Sequence, residues 1–232
     1  YYLGLNYWAK DRNEEALDLF NSLNYTPDSM PFYISRAKLN DLYGKRGDVE
    51  KDLEKSILYA QDSWIAHLYV VQYYQENKMW KKAGSVSEKA YLKFSDNFNV
   101  HVLHAKSLLY LGMFDECINI LNNTIVLPSE LGKESRQIHE WALLEKSIQL
   151  IRGRKFDQAR DNIEKSRAWP KNLGIGKPYV VDERIQDILI DYINNPLNSA
   201  KYQRYLDRIV KNSENYTLKL IKSAKSMMTS LN

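Results

Sequence analysis

The sequence predicts an all-α protein made of antiparallel helix pairs, and three observations lead to this prediction. Nine glycines and six prolines among 232 residues are too few for a turn-rich sandwich or barrel. Runs of Leu, Lys, Glu, Ala and Tyr between short breaks favour helices. Small and aromatic residues recur with a period of about 34 residues, which is typical of stacked helix pairs.

The first predicted pair shows the pattern in its clearest form. A first helix reads Leu-Gly-x-x-Tyr, a second reads Ala-x-x-x-Phe, and a proline ends the repeat. The residues concerned are Leu3, Gly4, Tyr7, Ala16, Phe20 and Pro27. Two helices approach closely only where small side chains meet, and large residues three or four positions away fill the space between them.

The second pair is irregular. Gly47-Asp48-Val49 predicts the turn between its helices, with Gly47 available for a positive φ. Leu53, Ile57 and Ala60 then fit the second-helix positions only after one extra residue. We therefore expect a local shift of register in this pair, with Leu53 at the position of the small residue.

The third, fourth and fifth pairs return to the regular order. Their second helices carry Ala83, Cys117 and Ala159 at the small-residue position. Polar turns precede these helices, and Gly112 is available for a positive φ in the fourth pair. The three repeats end at Ser95, Pro128 and Pro170.

The sequence after the fifth pair departs from this pattern. Residues 171–181 predict a long connecting loop, and helices are expected near Asp182 to Asn194, Leu197 to Asn212 and Asn215 to Ser230. These helices make a degenerate sixth repeat and a terminal helix. Residues 1–232 are therefore predicted to be one domain with about five recognisable repeats.

This arrangement resembles the tetratricopeptide repeat (TPR) family over nearly the whole chain. The resemblance implies a right-handed superhelix, an α-solenoid, whose first helices face a concave inner wall. A closer resemblance is carried by "RGDVEKDLEKSI", "ELGK" and "FDQARDNIEKSRAWPKNLGIGKPY". These segments are similar to the C-terminal TPR array of large bacterial proteins that have a β-rich, sugar-enzyme-like domain upstream.

Candidate binding residues follow from the inner wall that the resemblance implies. In the third to fifth repeats, the first-helix residues expected to face this wall are Gln72, Gln75, Lys106, Tyr110, Trp141, Glu145 and Arg152. All of them except Gln75 and Glu145 would make one mixed polar and aromatic patch for a partner protein or peptide, or for another domain of the same chain. A solvated wall without a ligand is an equally good interpretation.

The sequence offers no recognisable set of residues for catalysis, cofactor binding or metal binding. His101 and His104 stand three residues apart, but they occupy packing positions, and no cysteine or carboxylate completes a tetrahedral set. Cys117 occupies a small packing position, which favours an inert thiol. Since no paired acid and base emerges at a usable spacing, we expect no enzymatic activity from this chain.

Charge and hydropathy argue against three kinds of partner. The net charge of +4 is concentrated in the last 33 residues, where seven basic and two acidic residues give +5, so no basic stripe covers the fold for nucleic acid. No apolar run reaches the roughly 18 residues of a membrane span. Chaperone-binding members of the TPR family carry a carboxylate clamp where this chain has Tyr1 and Leu5, which argues against docking of chaperone tails.

These observations predict a non-catalytic TPR scaffold for protein–protein or domain–domain interaction. The alternative is a C-terminal accessory region of a carbohydrate-active multidomain protein, which the resemblance to the bacterial array implies. The chain opens without a methionine on an apolar helical pattern, which suggests a segment of a longer protein. A single cysteine cannot form an internal disulfide, and the cytoplasm is slightly favoured over the periplasm.

Overall fold

The computed structural model of the chain is all-α wherever it describes the residues. Thirteen α-helices and two short 3-10 helices occur there, with no strand in the same ranges. The all-α class predicted from composition and periodicity is therefore confirmed. The described residues are 1–25, 27–128, 130–209 and 215–231.

Contacts between helices divide the chain into two compact units, Tyr1–Phe94 and Ser95–Asn232. The sequence predicts one array over residues 1–232, and the boundary between the units falls between the third and fourth predicted repeats. Each unit has a buried hydrophobic core of its own.

The first unit consists of three helix pairs. Consecutive helices pack against each other across short turns, as antiparallel hairpins do. Phe20 of the first pair and Phe32 of the second pair belong to one core cluster, and Val49, Val70 and Tyr74 belong to another. The six helices are α1 (Tyr2–Trp8), α2 (Asn13–Asn21), α3 (Met30–Leu42), α4 (Arg46–Leu58), α5 (Trp64–Glu76) and α6 (Trp80–Lys93).

The second unit has two helix pairs followed by three further helices. The seven helices are α7 (Phe98–Leu111), α8 (Phe114–Asn123), α9 (Glu130–Arg152), α10 (Phe156–Arg167), α11 (Arg184–Asn194), α12 (Ser199–Ile209) and α13 (Asn215–Ser230). The long α9 packs against both α10 and α13, and Ile148, Ile163 and Leu220 share one core cluster. The three helices expected after residue 181 are present, although the predicted helix end at Asn212 lies outside the described residues.

All five helix pairs close with the same turn. The second residue before each second helix has a φ between 57° and 81°; these residues are Asp11, Gly44, Lys78, Gly112 and Arg154. The next residue in each turn donates its backbone N–H to the carbonyl oxygen five residues earlier, at distances from 2.7 to 3.0 Å. This bond is the Schellman closure of a helix C-terminus, so the first helix of every pair ends in the same way.

The fourth residue of each second helix is fully buried. These residues are Ala16, Val49, Ala83, Cys117 and Ala159, each with 0% of its surface exposed. The residue twelve positions earlier, on the first helix, is also buried in every pair; these residues are Gly4, Ala37, Val71, Ala105 and Ser147. Each pair thus has Gly, Ala or Ser at one or both positions, as close helix packing requires. At Gly4, for example, an added Cβ would lie 2.4 Å from the ring of Phe20.

The register shift predicted for the second pair is wrong. α4 begins at Arg46, so Gly47 lies inside the helix, and the turn residue with positive φ is Gly44 (68°). Val49 takes the buried position that the sequence analysis assigns to Leu53. The prediction fails because Val49 is larger than the other residues at this position. The small Ala37, which belongs to the same core cluster, leaves room for it.

The segment after α10 covers the end of α8. Asn172 donates from Nδ2 to the carbonyl oxygens of Leu121 at 2.9 Å and Thr124 at 2.8 Å, and its own carbonyl oxygen accepts the N–H of Val126 at 2.7 Å. These bonds satisfy carbonyl groups that a helix C-terminus leaves unpaired. The first part of the predicted loop, residues 171–174, is therefore a docked turn that ends in Gly174 with a φ of 69°.

Candidate binding surface

The first unit holds two of the predicted wall residues, both on α5. Gln72 is half-buried and lines a groove between α3 and α5. Gln75 is buried, with 5% of its surface exposed. Gln72 thus faces an open surface, whereas Gln75 belongs to the interior of the unit.

The groove between α3 and α5, called the α3–α5 groove below, has a volume of about 400 Å³ and a mixed lining. Leu42 (64% exposed) and Tyr69 (38% exposed) give it apolar and aromatic surface. The ammonium group of Lys38 lies 5.0 Å from the centre of the Tyr69 ring, a cation–π distance. Tyr73 donates its hydroxyl to Oδ1 of Asp41 at 3.1 Å, and burial together with this bond raises the pKa of Tyr73 to about 12.

The predicted wall residues lie only in the third to fifth repeats, so they do not include Lys38 of the second pair. With the register that the structure shows, Lys38, Gln72 and Lys106 occupy the same repeat position, at intervals of 34 residues. Each lies eleven residues before the fully buried position of its second helix. This interval is the sequence signal for Lys38, and it is visible only with Val49, rather than Leu53, at the buried position.

In the second unit, the predicted aromatic residues enclose a tyrosine of α13. The ring of Tyr216 stacks on Trp141, with ring centres 5.0 Å apart, and meets Tyr110 edge-on at 4.8 Å. Tyr216 is 2% exposed, and its hydroxyl donates to the carbonyl oxygen of Leu109 at 3.4 Å. The aromatic part of the predicted wall is therefore covered by the terminal helix of the same chain.

The predicted charged residues of α9 bind the next turns of α13. Ser223 donates its hydroxyl to Oε1 of Glu145 at 3.1 Å, and Nη2 of Arg152 donates to the carbonyl oxygen of Ser223 at 3.2 Å. Glu145 is 5% exposed, and burial raises the pKa of its carboxyl group. Lys219 places its ammonium group 5.1 Å from the Tyr216 ring centre, and burial lowers the pKa of Lys219.

Lys106, the remaining predicted wall residue of this unit, forms an ion pair with Glu134, in which Nζ lies 2.7 Å from Oε1. The sequence predicts α13 only as a terminal helix and does not predict that it covers the aromatic part of the predicted wall. Tyr216, Lys219 and Ser223 follow one another at three and four residues, so they share one face of the helix. This spacing indicates that the face packs against another surface of the protein, but it does not identify that surface.

The histidines on α7 and α9 are packing residues. Nδ1 of His101 lies 3.0 Å from the hydroxyl oxygen of Thr124. His104 and His139 are buried, with 6% and 5% of their surfaces exposed, and burial lowers the pKa of each to about 4. In the part of the chain that the structure describes, no group of three His, Cys, Asp or Glu residues could hold a metal ion.

The single cysteine is a packing residue of α8. Cys117 is 0% exposed, and burial raises the pKa of its thiol to about 12. Because the thiolate is the nucleophilic form, a buried thiol with this pKa is unreactive at neutral pH.

No protein-family model matches this chain, and a search of curated proteins finds no match either. None of the described helices is both long and apolar enough to cross a membrane. Functional inference therefore depends on the repeated turn, the α3–α5 groove and the contacts of α13.

Proposed function

We propose that this chain is a tetratricopeptide-type scaffold that catalyses no reaction and binds a partner protein through the inner wall of its helix pairs. The repeated turn carries the proposal, because five pairs close with the same Schellman bond and bury the same second-helix position. The first three intervals between those positions are 33, 34 and 34 residues, close to the 34-residue period of the TPR family. The fourth interval, which includes the long α9, is 42 residues. A right-handed superhelix over residues 1–232 is part of the proposal.

The contacts of α13 support a helix as the kind of ligand that this wall accepts. Tyr110 and Arg152 lie seven residues before the buried second-helix position of their pairs, and Glu145 lies fourteen residues before it. All three contact α13. In the first unit, Leu42 and Tyr69 stand at these same two positions and line the α3–α5 groove. Leu42 and Tyr69 are thus exposed at repeat positions whose counterparts in the second unit contact α13.

The lining of the α3–α5 groove supports an amphipathic helix with basic residues as the partner segment. Leu42 and Tyr69 offer apolar contacts for the apolar face of such a helix. Asp41 and Glu76 outnumber Lys38 among the charged residues of the lining, so Lys or Arg of the partner would find opposite charges there. The chemistry of α13 itself is similar, because it combines apolar residues with three lysines.

Site-specific cross-linking tests this proposal. A photoreactive phenylalanine analogue in place of Tyr69 should form an adduct with a partner in cells that make the protein. The same analogue in place of Tyr25, which is 59% exposed outside the groove, should not form it. Leu42→Arg should remove the adduct at Tyr69, because it replaces an apolar contact with a charge of the same sign as the basic residues of the partner. Equal adducts at Tyr69 and Tyr25, or an adduct unaffected by Leu42→Arg, would refute the proposed docking surface.

A further inference from the structure

A second cavity, distinct from the α3–α5 groove, lies between the first turns of α9 and the segment that follows α10. Its volume is about 330 Å³, which is in the range of small-ligand sites. α9 contributes Lys133, Arg136 and Glu140 to the lining. The facing segment contributes Trp169 and an apolar wall that includes Ile175, Pro178 and Val181.

Arg136 is held rigidly in this cavity. Its side chain is 3% exposed, and it donates from Nη1 to Oε2 of Glu140 at 2.9 Å and from Nη2 to the carbonyl oxygen of Ser166 at 2.7 Å. The guanidinium carbon lies 4.6 Å from the centre of the Trp169 ring. Nε of Arg136, although buried, has no hydrogen-bond acceptor among the described residues. This N–H is therefore a fixed donor with nothing to accept it.

Trp169 offers a second donor of the same kind. Its indole Nε1 is buried and likewise lacks an acceptor within the described ranges. Native proteins pair nearly all buried polar groups, so an orphaned donor calls for a ligand or another explanation. Two such donors on residues that line one cavity point to a ligand that accepts hydrogen bonds.

The charged residues around the cavity indicate the charge of that ligand. Glu140 accepts hydrogen bonds from Arg136 and also from Nε2 of Gln186 at 2.7 Å, and Asp182 pairs with Arg184 at 2.7 Å. Both carboxylates of the lining are thus already engaged. Lys133 is exposed and forms no ion pair with any residue that the structure describes. One unpaired cation and two unpaired N–H donors favour a monoanion.

We propose that this cavity, the carboxylate pocket formed by Lys133, Arg136, Trp169 and their apolar neighbours, binds an apolar carboxylate. A carboxylate has two acceptor oxygens for the N–H donors and one charge for the lysine. The apolar wall would receive a branched aliphatic group. A dianionic phosphate fits less well, because it would meet one free cation and the carboxylate of Glu140. The carboxylate could be the C-terminus of a peptide or belong to a free acid.

Titration of the complete chain, labelled with ¹⁵N, tests the pocket directly. The indole N–H resonance of Trp169 is assigned from Trp169→Phe, which keeps an aromatic ring beside Arg136 but removes the donor. N-acetyl-leucine mimics a peptide C-terminus, 4-methylpentanoate is a free branched acid, and N-acetyl-leucinamide lacks the charge. The Trp169 resonance should shift with at least one acid and stay in place with the amide. A shift with N-acetyl-leucine alone assigns a peptide C-terminus, and a comparable shift with 4-methylpentanoate assigns a free acid.

A matched pair of lysine variants completes the test. Lys133→Gln should weaken acid binding about tenfold, since it removes a hydrogen bond between charged groups. Lys177→Gln changes an exposed lysine of the facing segment that is not part of the lining, and it should leave the affinity unchanged. Both sites are exposed, so neither change threatens the fold. No shift of the Trp169 resonance with either acid, an equal shift with the amide, or equal affinity of the two variants would overturn the proposal, and none of these results bears on the α3–α5 groove.

Discussion

Lowering the pH should destabilise the second unit through two buried histidines. Burial holds the pKa of His104 and of His139 at about 4, well below the ordinary value of 6.5. The unfolded chain binds a proton at each ring near pH 6.5, whereas the folded chain accepts it only near pH 4. Between these values the unfolded state binds more protons, so the free energy of unfolding falls as the pH falls.

The size of this effect follows from the two pKa values. A difference of about 2.5 pKa units, at 1.36 kcal/mol per unit, corresponds to about 3 kcal/mol for each histidine. The stabilisation is complete above about pH 7 and is lost by about pH 4. Arg136 also lowers the pKa of His139, and His101 lowers that of His104. Glu145, whose pKa is raised by burial, acts in the opposite direction because its folded form binds protons more readily.

Urea unfolding at several pH values, with His104→Gln and His139→Gln as comparison proteins, isolates the contribution of each ring. Between about pH 6.5 and 4.5, each variant should lose roughly 2 to 3 kcal/mol less stability than the unmodified chain. Each protein is compared with itself at two pH values, so the stability that a substitution removes at neutral pH does not affect the result. Proton NMR of the imidazole rings gives the pKa values directly. Rings that titrate near pH 6.5, or variants with the same pH dependence as the unmodified chain, would refute the reasoning.

Three substitutions test the packing. Ala159→Leu should cost about 1 to 3 kcal/mol by overpacking the fifth pair, whereas Lys155→Leu at an exposed site should be nearly neutral; equal thermal melts would contradict the register. Gly174→Ala should lower the free energy of unfolding by about 1 to 3 kcal/mol, because residue 174 has a φ of 69° and the added Cβ would lie 2.5 Å from a carbonyl oxygen. Gly176→Ala, which places a Cβ in open space, is the control in the same melts. Trp141→Ala should cost about 2 kcal/mol and speed amide hydrogen exchange in α13; unchanged exchange there would show that the ring stack does not hold the helix.

The all-α class and most helix pairs could be predicted because their periodicity is local information. The second pair could not be placed, because Gly44 and Gly47 stand three residues apart and either could supply the positive φ of the turn. Sequence alone does not choose between them. The same turn is made without glycine at Asp11, Lys78 and Arg154, so residue type is a weak guide to this conformation.

The second pair also contains a buried polar cluster that has no periodic signature. Arg36 donates to both carboxylate oxygens of Asp52, at 2.9 and 2.6 Å, and Asn40 donates to the same group at 3.3 Å. Asp52 is 2% exposed. Asn40 stands where other first helices carry large apolar residues; these are Tyr7, Tyr74, Leu108 and Leu150. A hydrophobic pattern cannot reveal such a cluster, because its polar side chains satisfy each other's charges and hydrogen bonds only in the folded structure.

The candidate wall could be predicted as a set of residues but not with its occupant. Tyr110 and Trp141 were chosen from repeat position alone, and both contact Tyr216, which lies far along the chain in α13. Pairing over such a separation leaves no trace in a single sequence. The contacts of the two units do not bear on the alternative function, an accessory region of a carbohydrate-active protein, which stays a prediction.

The two units use equivalent positions differently, and this difference bears on function. Tyr110 is covered by α13, whereas Leu42, at the same repeat position, is 64% exposed in the α3–α5 groove. Glu76 occupies that position in the next repeat, so the fold accepts a charged residue there. Folding therefore does not require leucine at residue 42. A leucine and a tyrosine exposed in one groove gain free energy only when something covers them, and a helix of the kind that covers Tyr110 would do so.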